Sequence, residues 1–424
     1  MSPSIKNFFL LLTAMGLLVL SGAVPVEAEP PSFPDGSLEE RLSANQATHR
    51  ALVDSLYYNF DEWFDLFQRK IGQLEKSSPS LEDRIELMKY YFACAGLLGE
   101  LSHTLAFTSK FKLKEVEDEF IHYSRRAKET ASEVLDTPGV TSRQMSEAYL
   151  FRGGAEGYIG IFEYGKGNII TALINGFQAD IHLEEALLLN PDQVDAHFGL
   201  GIYRYGNSRV GGLSNLIMQG GRDLRQVGID HIEHAIRRDS LTMPLALKTL
   251  AWFYISEEIN PDNADLPDDA PLSRVRARTR AVELFEELES RYFKNPPHKN
   301  FKGNKEVTLM KAVQFVLDDD YEKARREFEK VLEIVEFLKT EKRLNINPQL
   351  IRTVEAAVKF CHLMLLKPGG DEGSEQSVCR RIGEQISFLN SGGTMIEYDS
   401  KKIRSELHGV FAKALEGLST KHGC

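Results

Sequence analysis

Arrangements of residues that carry chemistry are scarce in this sequence. It contains no GxSxG nucleophile motif, no HExxH metal motif and no CxxC pair, and no Cys/His arrangement has the spacing of a zinc site. Catalysis needs reactive side chains in a recognisable constellation. The sequence therefore predicts that the protein is not an enzyme, and we expect neither a cofactor nor a metal ion.

Basic residues are in deficit as well. The 424-residue chain has 51 Lys and Arg against 62 Asp and Glu, which gives a formal net charge of -11. Because proteins that bind nucleic acids need a basic surface for the phosphates, we expect no nucleic-acid partner. Hydrophobic residues make up 42% of the chain, so the composition predicts a folded protein.

Long apolar runs are absent beyond the N-terminus. There, Lys6 precedes the apolar run Phe8–Leu20, and a small-x-small site follows at Val26–Ala28. This order is typical of a secretory signal peptide, and the run is shorter than the ~20 residues of a membrane span. We therefore predict a signal peptide at 1–28, a proline-rich linker at 29–36, and a periplasmic or otherwise extracytoplasmic mature chain without a transmembrane span. An uncleaved N-terminal anchor is the alternative.

Cysteines number only four, at Cys94, Cys361, Cys379 and Cys424. Cys94 lies in the apolar segment YYFACAGLL, which predicts a buried thiol. In an oxidising compartment, Cys361 and Cys379 could pair across a helical hairpin. Sequence alone does not fix the connectivity of disulfides, so this pairing stays open.

The alternating pattern of β-strands is also lacking. After the linker, apolar residues recur at spacings of three and four almost throughout, which is the periodicity of amphipathic helices. Helix-breaking clusters of Pro, Gly, Ser, Asn and Asp separate the helical stretches. They lie at 77–80, 136–139, 190–192 and 295–297. The pattern predicts an all-α fold.

Three of the helical segments share a pattern of their own. Tyr321–Leu332, His182–Asp192 and Asp230–Asp239 each place an alanine where the second helix of a repeated hairpin would meet the first. Small Gly201 and Ala251 occupy the matching positions of two candidate first helices. Stacked hairpins bury a continuous core, with small residues where helices approach closely.

These features resemble a family of exported bacterial tetratricopeptide-like proteins of undefined function, over about residues 43–337. The resemblance implies a TPR-like α-solenoid of stacked helical hairpins at 37–338, with irregular and elongated repeats, and a C-terminal helical extension at 339–424 packing on it. A weaker likeness exists to the periplasmic tetratricopeptide component of some solute transporters. The segments that carry the likeness are 58–71, 146–160, 183–206, 220–223 and 246–258.

Three further segments invite a local interpretation. The glycine-rich insertion 206–221 predicts a long ordered loop that packs on its own repeat, and its alternative is a cover over a groove or pocket, or a membrane contact. His231 and His234 lie one helical turn apart, and we expect surface or packing histidines and not metal ligands. Asp318–Asp320 should cap the helix that begins near Tyr321.

The candidate binding residues follow from the repeat pattern. Residues one and four places beyond Gly201 and Ala251 are predicted to face a concave groove, with a lysine nearby. A groove lined by aromatic side chains suits a peptide or helix, so a protein-interaction scaffold is the favoured function. A carrier of a small molecule or lipid is the alternative, and the same side chains could instead be core. The residues are Ile202, Tyr205, Lys248, Trp252 and Ile255.

Overall fold

Helices account for all the regular structure that is described. The computed structural model describes residues 44–57, 59–75, 79–106, 114–166, 168–293, 304–341, 348–366, 375–391, 393 and 401–424. Within those ranges no strand is present, so the predicted all-α class is confirmed. The predicted signal peptide at 1–28 and linker at 29–36 lie outside the described residues. In the described part of the chain, no helix is both long and apolar enough to cross a membrane.

The chain divides into two compact units. Of the described residues, the first unit comprises those within 44–104, 114–250 and 287–293, and the second comprises those within 105–106, 251–286 and 304–424. These units describe packing alone, so the domains predicted at 37–338 and 339–424 stay predictions. The α-helices in chain order are α1 Ala44–Tyr57, α2 Phe60–Leu74, α3 Leu81–Ala106, α4 Lys114–Leu135, α5 Ser142–Lys166, α6 Ile169–Leu189, α7 Asp195–Val210, α8 Gly212–Gln219, α9 Arg225–Arg237, α10 Met243–Glu258, α11 Arg274–Leu288, α12 Lys305–Leu317, α13 Tyr321–Thr340, α14 Pro348–Met364, α15 Glu375–Asn390 and α16 Lys401–Lys421.

Glycines allow two pairs of helices to approach closely. On α5, a Cβ atom at Gly153 would lie 2.9 Å from Leu183 Cγ of α6, so no larger residue fits between the helices. On α7, a Cβ atom at Gly201 would lie 2.6 Å from the carbonyl oxygen of Gly228 on α9. Both contacts lie between helices that pack along each other. Helices α12 and α13 pack along each other in the same way.

The alanines of the shared pattern lie where close packing requires small residues. Ala186 on α6, Ala235 on α9 and Ala324 on α13 are completely buried. Because a methyl group fills each contact, larger side chains at these points would force the paired helices apart.

The insertion is helical, unlike the predicted loop. Helix α7 continues through Val210, and α8 occupies Gly212–Gln219. Gly211 and Gly212 both have positive φ, at 68° and 67°, and this left-handed backbone reverses the chain between the two helices. Gly220 ends α8 in the left-handed helical region, with φ 63° and ψ 27°. The sequence pattern showed the glycines but not the short helix that they enclose.

The acidic triplet before α13 behaves as predicted. The Asp320 carboxylate accepts a hydrogen bond from the Lys323 backbone N–H at 3.1 Å, which caps the first turn. The pKa of Asp320 is lowered by its hydrogen bond with the Lys323 side chain and by that backbone N–H. Asp319 accepts from the Tyr321 hydroxyl at 2.6 Å, and Asp318 forms an ion pair with Arg278 at 2.5 Å.

The disulfide differs from the pairing considered above. Cys379 on α15 is bonded to Cys424 at the C-terminus, and their Cα atoms are 5.5 Å apart. Cys361 is a buried free thiol on α14, as Cys94 is on α3. The pairing of Cys361 with Cys379 is therefore wrong. Cys361 is buried in the core, next in sequence to Phe360, whose ring packs on that of Phe411. The predicted burial of Cys94 is confirmed.

Candidate interaction surface

The five side chains predicted to line a groove are all buried. Ile202 and Tyr205 on α7, and Lys248, Trp252 and Ile255 on α10, are each at most 7% exposed, with Trp252 at 5% and Tyr205 at 1%. A side chain without accessible surface offers no anchor to a partner in this conformation. Their burial favours the core interpretation, and their role in partner binding stays a prediction that would require the helices to open.

A different surface carries exposed apolar side chains. Along the outward side of α6, Ile170, Ile174, Phe177, Ile181 and Leu188 are between 40% and 76% exposed. The first four follow one another at spacings of four, three and four residues, so they form one continuous line on the helix. We call these five residues the α6 stripe. Contiguous exposed apolar surface on a folded protein marks an interaction site more often than a lone exposed residue does.

The stripe is not the face by which α6 packs in its own hairpin. That second face carries Ala172, Asn175, Ala179, Leu183 and Ala186, all of them buried. Helix α6 therefore has apolar residues on two sides, and its segment Ile169–Ala179 contains no charged residue. An ordinary surface helix has one apolar side and one polar side. The extra apolar side of α6 is thus unexplained by the core of the molecule.

Helix α8 packs beside α6. The methyl group of Met218 would lie 3.1 Å from a Cβ atom at Gly176, which places α8 directly beside the middle of α6. Leu216 on α8 is 60% exposed. Because it lies two residues from Met218, it is on the side of α8 that faces away from this contact.

Charges mark the two ends of the stripe. Lys166, at the end of α5 just before α6, has an exposed ammonium group 3.9 Å from Glu117. Towards the other end, Glu184 lies on the line of the stripe between Ile181 and Leu188, and it forms an ion pair with Arg204 of α7. Each end of the stripe therefore carries an ion pair, and the middle is apolar.

A buried ionic cluster holds α6 in place on the opposite side. The Glu156 carboxylate of α5 is fully buried, 3.1 Å from Lys128 Nζ of α4 and 2.5 Å from His182 Nδ1 of α6. Arg152 Nε lies 3.5 Å away on the same helix. Since a buried carboxylate needs compensating cations and hydrogen bonds, this cluster fixes α4, α5 and α6 relative to each other.

A chain of hydrogen bonds continues from α6 to α9. Arg204 donates from Nη1 to His231 Nε2 at 2.7 Å, and Arg204 also pairs with Asp180 of α6 at 3.7 Å. Because arginine only donates, His231 Nε2 must accept, and the proton of the neutral ring sits on Nδ1. That proton is donated to His197 Nδ1 at 2.7 Å. The ring of His234 lies 4.4 Å from that of His197.

This histidine cluster is electrically neutral near neutral pH. Burial, followed by the charge of Arg204, lowers the pKa of His231 to about 4. Burial also lowers the pKa of His197 to about 4, with smaller effects from His234 and Arg204. Among the described residues, no group of three or more His, Cys, Asp or Glu side chains is arranged to hold a metal ion. The geometry fits packing between α7 and α9, in line with the expectation for His231 and His234.

The α6 stripe could not be predicted from the repeat pattern, for a physical reason. The predicted pattern covers only the C-terminal part of α6, from His182 onward, so it assigned no packing face to the N-terminal part of the helix. The available signal was the neutral segment Ile169–Ala179, in which apolar residues fall on both sides of a helical projection. The packing alanine identifies the inner face, but exposure of the outer face depends on the absence of a neighbour in space.

The chain matches no model of a protein family, and it matches no curated protein sequence. A function is therefore inferred from the residues of this chain.

Proposed function

We propose that this chain is an exported, TPR-like helical scaffold that binds a protein partner through the α6 stripe. The observation that carries the proposal is the exposure of four large apolar side chains in a line on one helix, Ile170, Ile174, Phe177 and Ile181. Helix-to-groove and helix-to-helix recognition use anchors at this spacing. The proposal moves the binding surface from the predicted groove to α6.

Two observations support the repeat character. Neighbouring helices pack as hairpins at α5–α6, α7–α9 and α12–α13. The small residues of the shared pattern lie at those contacts, as Ala186 and Ala324 illustrate. A solenoid stacks such hairpins so that each repeat contacts its neighbours.

The disulfide supports an extracytoplasmic location. Structural disulfides persist in oxidising compartments and are rare in a reducing cytoplasm. The Cys379–Cys424 bond suits the export that the Lys6 and Phe8–Leu20 pattern predicts. Fractionation of the source cells tests it: we expect the protein in the extracytoplasmic fraction, with its N-terminus near Glu29.

Photo-crosslinking tests the binding function. A photoreactive phenylalanine analogue is placed at Ile174, which is 54% exposed on the stripe, and in a control protein at Arg326, an exposed position on α13. On illumination of intact cells, we expect a discrete protein adduct from position 174 and none from position 326. Equal labelling from both positions, or no protein adduct from position 174, would show that the stripe has no protein partner.

A further inference from the structure

The α6 stripe has the features of a surface that pairs with itself. We propose that its partner is a second copy of this chain, whose α6 packs antiparallel to the first about a two-fold axis. This inference rests on the proposed function and names the occupant of the same surface. Three independent features carry it: the spacing of the apolar residues, the charges at the ends, and the amount of exposed apolar surface.

The spacing is that of a two-helix seam. Ile170, Ile174, Phe177 and Ile181 alternate spacings of four and three residues, as the core positions of coiled coils do. In an antiparallel pair centred between Ile174 and Phe177, Ile174 faces Phe177 of the second copy. Ile170 then faces Ile181 of the second copy. Every layer of the seam thus joins two large apolar side chains.

The charges at the ends favour the antiparallel orientation. Lys166 lies beyond one end of the seam and Glu184 lies on its line at the other end. Each already pairs within its own chain, Lys166 with Glu117 and Glu184 with Arg204, and each stays about half exposed, at 45% and 53%. An antiparallel arrangement brings Lys166 of each copy beside Glu184 of the other, twice in one symmetric interface. A parallel arrangement would bring the two lysines together and the two glutamates together, which is unfavourable.

The exposed apolar surface reaches the lower limit for a specific dimer. The five stripe residues are each at least 40% exposed. Side chains of this size leave on the order of 100 Å² each in water. Their sum is roughly 500 Å² per copy, or about 1,000 Å² over two copies, which is the area that a specific interface must reach.

A membrane surface fits the stripe less well. Helices that lie on membranes carry Lys and Arg along the polar border of their apolar face, where they meet anionic lipids. The border of the stripe instead carries Asp180 and Glu184, which pair with Arg204, and helix α6 itself contains no Lys or Arg. The helix therefore lacks the basic residues that would attract it to an anionic bilayer.

Engineered cysteines test the orientation directly. Ile170→Cys and Ile181→Cys are prepared as separate full-length exported proteins, mixed in equal amounts and oxidised with diamide. Position 170 of one copy should oppose position 181 of the other. Like positions are about 16 Å apart along the antiparallel pair, beyond the ~7 Å between Cα atoms that a disulfide tolerates. We expect a disulfide-linked dimer from the mixture and little from either variant alone.

The outcomes separate this inference from the proposed function. Cross-linking of each variant with itself, without any gain on mixing, would overturn the antiparallel arrangement. A chain that stays monomeric in sedimentation equilibrium at every concentration would overturn the second copy as partner. In that case a position-174 adduct of a mass other than twice the chain would preserve the proposed function. If the chain binds anionic phospholipid vesicles and does not self-associate, the partner of the stripe is a membrane and not a second copy.

A matched pair of substitutions measures the strength of the contact. Ile174→Glu should weaken self-association by about tenfold or more, since it places two carboxylates in the seam. Arg326→Glu, an equally exposed change on α13, should leave self-association unchanged. Circular dichroism confirms that both variants are folded. Equal dimer strength for wild type and Ile174→Glu would overturn the proposal.

Discussion

Helices α6 and α13 bury similar packing faces, but the exposed face of α6 is apolar and that of α13 is charged. Both are second helices of a hairpin, and both bury an alanine completely, Ala186 in α6 and Ala324 in α13. The outward face of α13 carries ion pairs three and four residues apart, such as Arg325 with Glu322 at 3.0 Å. The outward face of α6 carries the apolar stripe. Packing within a hairpin therefore dictates one face of each helix and does not determine the other.

The charged face of α13 shows what solvent alone selects. Arg325 also pairs with Glu329 at 2.8 Å, and Arg326 with Glu322 at 3.0 Å. Such pairs keep a helix face hydrated and contribute little to stability. An apolar stripe in the same place gains nothing from water, so its presence on α6 supports the proposal that a partner covers it.

The largest expected difference lies between two phenylalanines. Phe328 on α13 is fully buried, and Phe177 on α6 is 53% exposed. Phe328→Ala should lower the free energy of unfolding by ~3–5 kcal/mol, because it opens a cavity in the core. Phe177→Ala should change it by less than about 1 kcal/mol when measured on monomeric protein. Urea denaturation compares the two, and equal losses would mean that the stripe belongs to the core.

A second prediction concerns the packing face, which is similar in α6 and α13. Ala186→Trp and Ala324→Trp should each destabilise the fold by ~1–3 kcal/mol or more, because an indole cannot fit where two helices touch. The loss should be similar in α6 and α13 if the packing face is equivalent. Thermal unfolding followed by circular dichroism measures both. An unchanged melting temperature for either variant would show that its helix does not follow the repeat register.

The sequence predicted the inner faces of these helices better than the outer ones. The burial of Ala186 and Ala324 followed from periodicity, because packing within a hairpin is encoded locally. The burial of Trp252 and Tyr205 did not, since the difference between a groove and a core depends on helices that lie elsewhere in the chain. The capping role of Asp320 was predictable from three neighbouring residues. The Cys379–Cys424 bond was not, because it joins residues that only the fold brings together.

The third prediction is a pH effect beside α6 that has no counterpart on the face of α13. The pKa values of His197 and His231 are about 4 in the folded protein and near the ordinary 6.5 when unfolded. Between pH 6.5 and 4 the unfolded state binds more protons, so stability should fall as the pH falls through this window. The pKa of Asp195 is raised by burial to about 6, which acts in the opposite direction.

A variant isolates the contribution of the histidine. His231→Gln retains an acceptor for Arg204 but does not titrate, and the raised pKa of Asp195 is common to both proteins. Wild type should therefore lose stability relative to His231→Gln as the pH is lowered from 6.5 to 4, and the difference should level off below pH 4. If the difference in melting temperature between wild type and His231→Gln stays constant over that range, burial does not lower the pKa of the histidine as the structure indicates.

The smallest effect is expected on the charged face of α13. Arg325→Ala removes the pairs with Glu322 and Glu329, both of which face water. Exposed pairs gain little because solvent and salt screen them and because ordering long side chains costs entropy. The free energy of unfolding should therefore stay within about 0.5 kcal/mol of wild type, and self-association should not change. Ile174→Ala, the corresponding truncation to alanine on α6, should leave stability equally unaffected but weaken self-association. Chemical denaturation and sedimentation equilibrium on the two variants measure both quantities. If Arg325→Ala costs more than about 1 kcal/mol, the ion pairs of α13 act as a coupled network, and its outer face contributes to the fold as its inner face does.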